Sequence, residues 1–211
     1  MSVLNKNSNL NLVLASSSPS RKMLLDKLQI PYETYTPDID ESVLPEETPE
    51  HHVLRLSKNK ALKIAEQLNS NNHKNNNKNY LIIGCDSVCV LNHQIMSKPE
   101  NHLDAVSQLR ASSGKIIYFY SGLSLYNTHT QRLQQEVVTT EVHFKKLSEV
   151  LIQAYLKKDQ PYHCAGSVKA EGLGIILFNK IVSDDPNSLI GLPLIALIKM
   201  LENESAYPLL D

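Results

Sequence analysis

An aspartate inside an apolar stretch is the first residue of this chain whose type and setting suggest chemistry. Asp86 lies in the run YLIIGCDSVCV, residues 80–90, whose near-continuous hydrophobicity is typical of a buried strand. Burying a carboxylate there is costly unless it is paired or binds a cation. We therefore interpret Asp86 as a candidate for acid–base or metal chemistry. The alternative is a carboxylate that backbone donors satisfy at a bulge.

A hydroxyl-rich turn near the start of the chain is a second candidate site. Residues 12–15 predict a buried strand, and an apolar 3.6-residue pattern after the turn predicts a helix. Ser18 can cap this helix with Pro19 at its first position. Unpaired N–H groups, the helix dipole and Arg21 then favour an anion, although the same residues also suit an ordinary N-cap.

Three further charged residues, two lysines and one glutamate, complete the set of candidates. Residues 50–68 predict an amphipathic helix, and Lys60 falls on the flank of its apolar stripe. A lysine in this position is usually solvated, but it can also reach over an edge into a cleft. Glu41 lies in an acidic loop, and Lys98 lies in a loop before a proline. Cations for phosphates and acids for a divalent metal together indicate phosphoryl chemistry.

The order of predicted elements indicates a mixed α/β fold. Strands and helices alternate in the first half, and residues 115–144 predict a long hairpin, so we expect a mixed twisted sheet with flanking helices. A strand is predicted over residues 175–182, and a helix from Asp185 to about Leu201, through Gly191 and Pro193. Three of the seven glycines lie in residues 163–174, where they let the backbone approach a ligand closely.

The 211 residues, 42% of them hydrophobic, suit a single domain over residues 11–211. We expect residues 1–10 to form a flexible tail. Residues 69–79 hold seven asparagines and no apolar residue, so we expect a disordered loop there. Adjacent His51 and His52 are predicted to be surface residues.

Composition argues against several classes of function. A net charge of −1 provides no overall positive potential to attract nucleic acid or an anionic membrane. No apolar segment is close to the length needed to span a membrane. We therefore expect a cytoplasmic protein. Cys85, Cys89 and Cys164 are interpreted as reduced thiols rather than a disulfide or zinc framework. Neither dinucleotide-binding, P-loop nor G-x-S-x-G motifs occur.

Eight motifs in register resemble those of the Maf family of nucleoside triphosphate pyrophosphatases. They are LASSSPSR, DIDE, RLSKNKA, GCDSVC, SKP, the long hairpin, CAGSVKAEGLG and DPNSLIGLPL. The resemblance implies an elongated two-lobed fold with a central cleft, a divalent metal such as Mg²⁺ or Mn²⁺, usually a homodimer, and cleavage between the α and β phosphates. The CAGS-x-K-x-EG and D-x-VC forms resemble the branch that acts on 7-methyl-GTP.

The resemblance also implies roles for nine residues. Asp86 matches the proton acceptor, and Glu41 matches the acid beside the metal, which Asp86 can also contact. The positions matching phosphate contacts are Ser16, Arg21, Lys60 and Lys98. The positions matching those that set base choice are Ser20, Ser87 and Glu171.

Glu171 is the most informative of these positions for the substrate. An ionised carboxylate accepts the two N–H groups on the Watson–Crick edge of guanine and repels the carbonyl that pyrimidines present there. The alternative is that Glu171 pairs with Lys169 or with solvent. Ser20 and Ser87 are small for their positions, which affects the choice of base.

Two other functions stay open. They are a dTTP/UTP pyrophosphatase and a non-catalytic nucleotide-binding regulator of cell division.

Overall fold

A seven-stranded mixed sheet is the centre of the fold in this computed structural model, which describes residues 10–72 and 78–206. The strands are β1 (Leu10–Ala15), β2 (Tyr32–Tyr35), β3 (Asn79–Leu91), β4 (Gln94–Met96), β5 (Ile116–Asn127), β6 (Leu133–Phe144) and β7 (Phe178–Ser183). The helices are α1 (Pro19–Asp26), α2 (Pro49–Asn72), α3 (His102–Ser112), α4 (Glu149–Asp159) and α5 (Leu194–Asn203). The predicted mixed α/β class is confirmed.

The sheet combines a parallel part with a longer antiparallel part. Its order is β2-β1-β3-β5-β6-β7, with β4 pairing with β3. Strand β1 is parallel to both β2 and β3, because α1 and α2 provide the crossover connections. The predicted hairpin forms β5 and β6, and β7 extends it antiparallel to β6.

One face of the long strands carries two separate hydrophobic clusters. Cys85 and Leu123 belong to the cluster that includes apolar residues of α1 and α5. Cys89 and Phe119, four residues further from the first pair along each strand, belong to the cluster of α3 and α4. Ser121, which is 1% exposed, lies between the two clusters on β5. Helix packing is thus interrupted at the middle of these strands.

The opposite face of the sheet is covered by α2, which approaches the strands closely. A Cβ atom added at Gly84 would lie 2.0 Å from the backbone oxygen of Ser57, and one at Gly122 would lie 2.4 Å from that of Val53. Glycine is required at both positions because any side chain would push the helix away. This contact places Lys60, one turn after Ser57, against the middle of β3.

Three boundaries predicted before residue 80 differ from the structure. Helix α2 continues to Asn72, past the last residue of its apolar stripe, and β3 begins at Asn79. The predicted loop over residues 69–79 is therefore partly helix and strand, and its residues 73–77 lie outside the described residues. Of the predicted tail, Leu10 belongs to β1, and residues 1–9 also lie outside the described part.

The C-terminal helix begins later than predicted. After Asp185 the chain forms a 3₁₀ turn at Ser188–Ile190 and then a left-handed residue, Gly191, with φ of 118°. Pro193 has no N–H to donate, so α5 starts only at Leu194. A 3₁₀ segment likewise replaces the first part of the strand predicted over residues 175–182. None of the helices in the described ranges is both long and apolar enough to cross a membrane.

Candidate active site

A cleft of about 870 Å³ opens where β3 has a neighbour on only one side. Strand β1 pairs with β3 as far as Gly84, and β4 pairs with it from Cys89, so within the described residues 85–88 pair only with β5. Three residues of this gap line the cleft, including Asp86. All nine predicted site residues line it as well: Ser16, Ser20, Arg21, Glu41, Lys60, Asp86, Ser87, Lys98 and Glu171.

The turn between β1 and α1 has the predicted capping geometry. Ser18 is the N-cap, and its hydroxyl accepts a hydrogen bond from the Arg21 N–H, while Pro19 is the first helical residue. The buried Ser16 hydroxyl accepts from the Ser18 N–H at 3.2 Å and from Nη1 of Arg21 at 3.4 Å. The turn therefore presents a guanidinium and a hydroxyl to the cleft on the N-terminal side of α1.

The turn before α5 orients Arg21. This contact was not predicted from the sequence. Both Nε of Arg21 and Sγ of Cys85 donate to the Gly191 carbonyl oxygen at 2.9 Å. Asp185, 1% exposed, holds the turn by accepting hydrogen bonds from the N–H groups of Asn187 and Ile195. In a continuous helix, the Gly191 carbonyl would accept a hydrogen bond from within the helix. Its contact with Arg21 therefore depends on the interruption of the helix before α5.

Lys60 lies between the two acids of the cleft. Its Nζ is 2.6 Å from Oδ1 of Asp86 and 2.6 Å from Oε1 of Glu41. The Lys60 side chain is only 6% exposed, so it is neither solvated nor snorkelling, the usual outcome for a flanking lysine. The paired charges explain how Asp86, 7% exposed, is tolerated in an apolar strand.

The charges around Glu41 keep it ionised. Partial burial raises the pKa of Glu41, but the Lys60 hydrogen bond and the charges of Lys60, Lys98 and Arg21 outweigh it and hold this pKa below its usual value. Lys98 is exposed on the loop after β4. The part of the cleft around Lys60 therefore combines the cations Arg21, Lys60 and Lys98 with the carboxylates of Glu41 and Asp86.

A second ion cluster fixes the loop that carries Glu41. The Glu47 side chain is only 6% exposed. Its carboxylate accepts hydrogen bonds from Nε and Nη2 of Arg55 and lies 2.9 Å from Nδ1 of His52. Arg55 also donates to the Ser42 carbonyl at 2.9 Å. The prediction that His52 is a surface residue is wrong, because it is 4% exposed and lines the cleft, whereas His51 is exposed.

Ser20, Ser87 and Glu171 are the remaining predicted residues that line the cleft, and both Ser87 and Arg21 lie beside Gly191. Ser20 of α1 donates to Oε1 of Glu171 at 2.6 Å, so Glu171 has a hydroxyl partner besides any interaction with Lys169 or solvent. Ser87 and Ser121 hydroxyls lie 2.9 Å apart, and Ser121 donates to the Ser188 carbonyl. The Ser20–Glu171 contact joins α1 to the segment after α4 across the cleft, whereas Ser87 and Ser121 are paired neighbours on β3 and β5.

All three cysteines are free thiols, as predicted. Cys164 lies in the cleft wall, and burial raises its pKa, so the thiol form dominates at neutral pH. Burial also raises the pKa of the Cys89 thiol. A nucleophilic thiolate role therefore has no support at these two positions.

Comparison with known proteins agrees with this arrangement. The profile of the Maf-like protein family matches residues 11–204. A 7-methyl-GTP pyrophosphatase from Vibrio cholerae serotype O1 is 50% identical over 196 residues, which are 93% of this chain and 96% of that protein. The family match covers all of the cleft residues described above, and the resemblance inferred from the eight motifs is confirmed. The chain belongs to the Maf family.

Proposed function

We propose that this chain hydrolyses a nucleoside triphosphate between the α and β phosphates, with 7-methyl-GTP as its preferred substrate. The observation that carries the proposal is the convergence of Arg21, Lys60 and Lys98 with Glu41 and Asp86 in one cleft. The name of the V. cholerae relative supports the substrate. The products are a nucleoside monophosphate and pyrophosphate.

Three cations and a hydroxyl are suited to bind the triphosphate. A nucleoside triphosphate carries about four negative charges, and repulsion by its oxygens is a main barrier to attack on phosphorus. Arg21 is held in place by the Gly191 carbonyl, and Ser16 by its bonds within the turn. These two residues, with Lys60 and Lys98, are proposed to contact the phosphates and to stabilise the charge of the departing pyrophosphate.

Asp86 is proposed to accept the proton of the attacking water. The water oxygen forms a bond to the α phosphorus while the bond from that phosphorus to the bridging oxygen breaks, and pyrophosphate leaves with the electron pair. The proton taken by Asp86 then passes to solvent. Lys60, which hydrogen-bonds to Asp86 at 2.6 Å, fixes the direction in which the carboxylate faces.

Two carboxylates of the cleft suit a divalent cation that arrives with the nucleotide. Glu41 and Asp86 are both 2.6 Å from the same Lys60 ammonium, so both face one cationic position. Mg²⁺ is commonly held by one or two carboxylates together with substrate phosphates, and the described residues contain no group of three or more potential ligands. Glu41 and Asp86 would hold Mg²⁺ or Mn²⁺, which would neutralise phosphate charge.

We propose that the base binds where Ser20, Ser87 and Glu171 line the cleft. An ionised Glu171 accepts hydrogen bonds from the N–H groups of guanine, and the positive charge of a 7-methylguanine ring strengthens this interaction. Ser20 donates to Oε1 of Glu171, and Oε2 accepts no hydrogen bond from the part of the chain that the structure describes, so it can meet the base. Pyrimidines would present a carbonyl to this carboxylate.

We also propose a cytoplasmic homodimer. The three free cysteine thiols suit a reducing compartment. The dimer rests on the family resemblance, and size-exclusion chromatography with light scattering tests it directly.

A nucleotide panel with product identification tests the proposed activity. With Mg²⁺ or Mn²⁺, pure protein should convert 7-methyl-GTP to the monophosphate and pyrophosphate, and prefer it to dTTP and UTP. Asp86→Asn should lower kcat by about 100-fold or more, the effect of losing a positioned general base. The matched control is Asp184→Asn, which neutralises an exposed aspartate and should leave kcat unchanged.

Three outcomes would contradict the proposal. Release of orthophosphate would place the cleavage at another bond. A preference for dTTP or UTP would contradict the substrate. Tight nucleotide binding without turnover under any metal would instead favour a nucleotide-binding regulator.

A further inference from the structure

Glu171 lies in a tight turn whose hydrogen bonds restrict the backbone conformation. The Lys169 carbonyl oxygen accepts hydrogen bonds from the N–H groups of both Gly172 and Gly174, each at 3.1 Å. A Cβ atom at Gly174 would lie 2.4 Å from that same oxygen. The direction of the Glu171 side chain is therefore determined by whatever holds this turn against the rest of the fold.

Helix α4 holds the turn on both sides of Glu171. The Lys169 N–H, two residues before Glu171, donates to the Tyr155 hydroxyl at 3.0 Å. The Leu173 N–H, two residues after it, donates to Oδ2 of Asp159 at 3.1 Å. Tyr155 and Asp159 are four residues apart, so they lie on the same face of α4.

The two anchoring side chains hold neighbouring parts of the same turn. Burial raises the pKa of the Tyr155 phenol, the hydrogen bond from the Lys169 N–H opposes this shift, and the nearby Asp159 charge adds to it, so the phenol stays protonated at neutral pH. The neutral phenol accepts the hydrogen bond from Lys169, while Asp159 accepts the one from Leu173. Gly172 completes the contact, because a Cβ atom there would lie 2.8 Å from Oδ1 of Asp159.

We propose that Tyr155 and Asp159 are positioning residues that set the base preference of the cleft through Glu171. This inference rests on the proposed function, in which the Glu171 carboxylate receives the N–H groups of the base. Hydrogen bonds weaken steeply when their angle departs from linear, so a small rotation of the turn changes how well Glu171 meets a purine. The contacts that hold Lys60 and Arg21 do not involve this turn, so we expect phosphate binding to be unaffected.

Tyr155 is the better of the two residues for a test, because it can influence the substrate only through the turn. Its side chain is 4% exposed and packs in the hydrophobic cluster of α3 and α4. Tyr155→Phe keeps this packing and removes only the hydroxyl that holds Lys169. Asp159 lines the cleft, so a direct contact with the base has to be separated from its role as an anchor.

The test measures kcat/KM for 7-methyl-GTP and for UTP in the full-length protein. We expect Tyr155→Phe to reduce the ratio of the two values by about threefold to tenfold, the size of one hydrogen bond, chiefly through a higher KM for 7-methyl-GTP. The matched control is Tyr162→Phe, which removes a hydroxyl bonded to His102 and should leave the ratio unchanged.

A double-mutant cycle identifies the route of the effect. In a Glu171→Gln background, Tyr155→Phe should no longer change the ratio, because both substitutions act on the same interaction. Asp159→Asn should shift the ratio in the same direction and should likewise lose its effect in that background. If Asp159→Asn and Glu171→Gln add independently, Asp159 contacts the base itself, and its assignment as a positioning residue is wrong.

The remaining outcomes separate this inference from the proposed function. A wild-type protein that does not prefer 7-methyl-GTP refutes the proposed substrate, and the inference falls with it. A wild-type protein with that preference, whose ratio is unchanged by Tyr155→Phe, refutes the inference alone. A lower melting temperature with equal losses for both nucleotides shows a purely structural tyrosine and also refutes it.

Discussion

The ion cluster of Glu47, Arg55 and His52 leads to a prediction that stability and its pH dependence can test together. Glu47→Gln replaces a carboxylate that accepts from two nitrogens of Arg55, from the Leu44 N–H, and contacts His52. An amide offers only one acceptor oxygen, and its NH₂ group would face other donors. The substitution therefore removes a charge and at least one hydrogen bond while preserving the shape of the side chain.

The expected cost follows from the exposure of the partners. The Glu47 side chain is 6% exposed, but Arg55 is 23% exposed, so water screens part of the interaction. Hydrogen bonds to charged groups contribute about 1.5–3 kcal/mol, and we take about 2 kcal/mol here. In a chain of this length each kcal/mol shifts the melting temperature by about 2–4 °C, so Glu47→Gln should lower it by about 4–8 °C at pH 7.

The pH dependence follows from the lowered pKa of Glu47. Hydrogen bonding from Arg55, opposed by burial and aided by His52 and the Leu44 N–H, holds this pKa far below the 4.5 of a free glutamate. The contribution to stability is therefore fully present above pH 4.5 and is lost as the pH falls, because the unfolded chain binds the proton first. The loss proceeds at about 1.4 kcal/mol per pH unit, so the advantage of about 2 kcal/mol over Glu47→Gln disappears near pH 3.

Urea unfolding of both proteins at a series of pH values measures this difference. The matched control is Glu149→Gln, which breaks an ion pair with Arg110 whose side chains are 50% and 60% exposed. That substitution should change the free energy of unfolding by less than about 1 kcal/mol. Because Glu47 fixes the loop that carries Glu41, kcat/KM should also fall in Glu47→Gln and not in the control.

A wild-type advantage that stays constant from pH 7 to about pH 3 would refute this reasoning, since a carboxylate contribution must vanish on protonation. A cost equal to that of Glu149→Gln would show that the cluster behaves as an ordinary surface ion pair.

Three other substitutions test separate features of the fold and cleft. Lys60→Met removes the ammonium between the two acids, so kcat/KM should fall by about 100-fold or more, and a fall of less than about threefold contradicts its role. Gly191→Ala places a side chain at φ of 118°, which should cost about 1–3 kcal/mol in urea unfolding and raise KM by displacing the acceptor of Arg21. Gly84→Ala would bring a Cβ within 2.0 Å of the Ser57 oxygen, so calorimetry should show a destabilisation of about 3 kcal/mol or more.

Local features of the cleft were predictable because their causes are local. The capping of α1 depends on Ser18, Pro19 and the apolar pattern that follows them, all within one short segment. Asp86 was identified because a carboxylate in an apolar strand requires a partner wherever that strand lies. The alternation of strands and helices, followed by a long hairpin, likewise determined the class of the sheet.

Other features depend on contacts between distant segments, which a single sequence does not display. The burial of Lys60 requires Asp86, 26 residues away, and the break before α5 shows its importance only when Arg21, 170 residues from Gly191, lies against it. The error at His52 has a different cause, because its partner Glu47 is only five residues away but precedes the helix instead of following along it. The apolar run before α5 resembled one continuous helix, although Gly191 and Pro193 together were the signal of its interruption.

The one-sided stretch of β3 has a consequence for how the protein behaves at high concentration. Strands β1 and β4 occupy the same edge of β3 on either side of residues 85–88, which leaves an opening four residues long. At about 3.3 Å per residue this opening is about 13 Å, wide enough for a small ligand but too short to pair with a full strand of another molecule. A nucleotide can therefore reach the backbone groups beside Asp86. A strand of another molecule cannot pair with them, because β1 and β4 occupy the edge on both sides, and edge-to-edge aggregation is prevented.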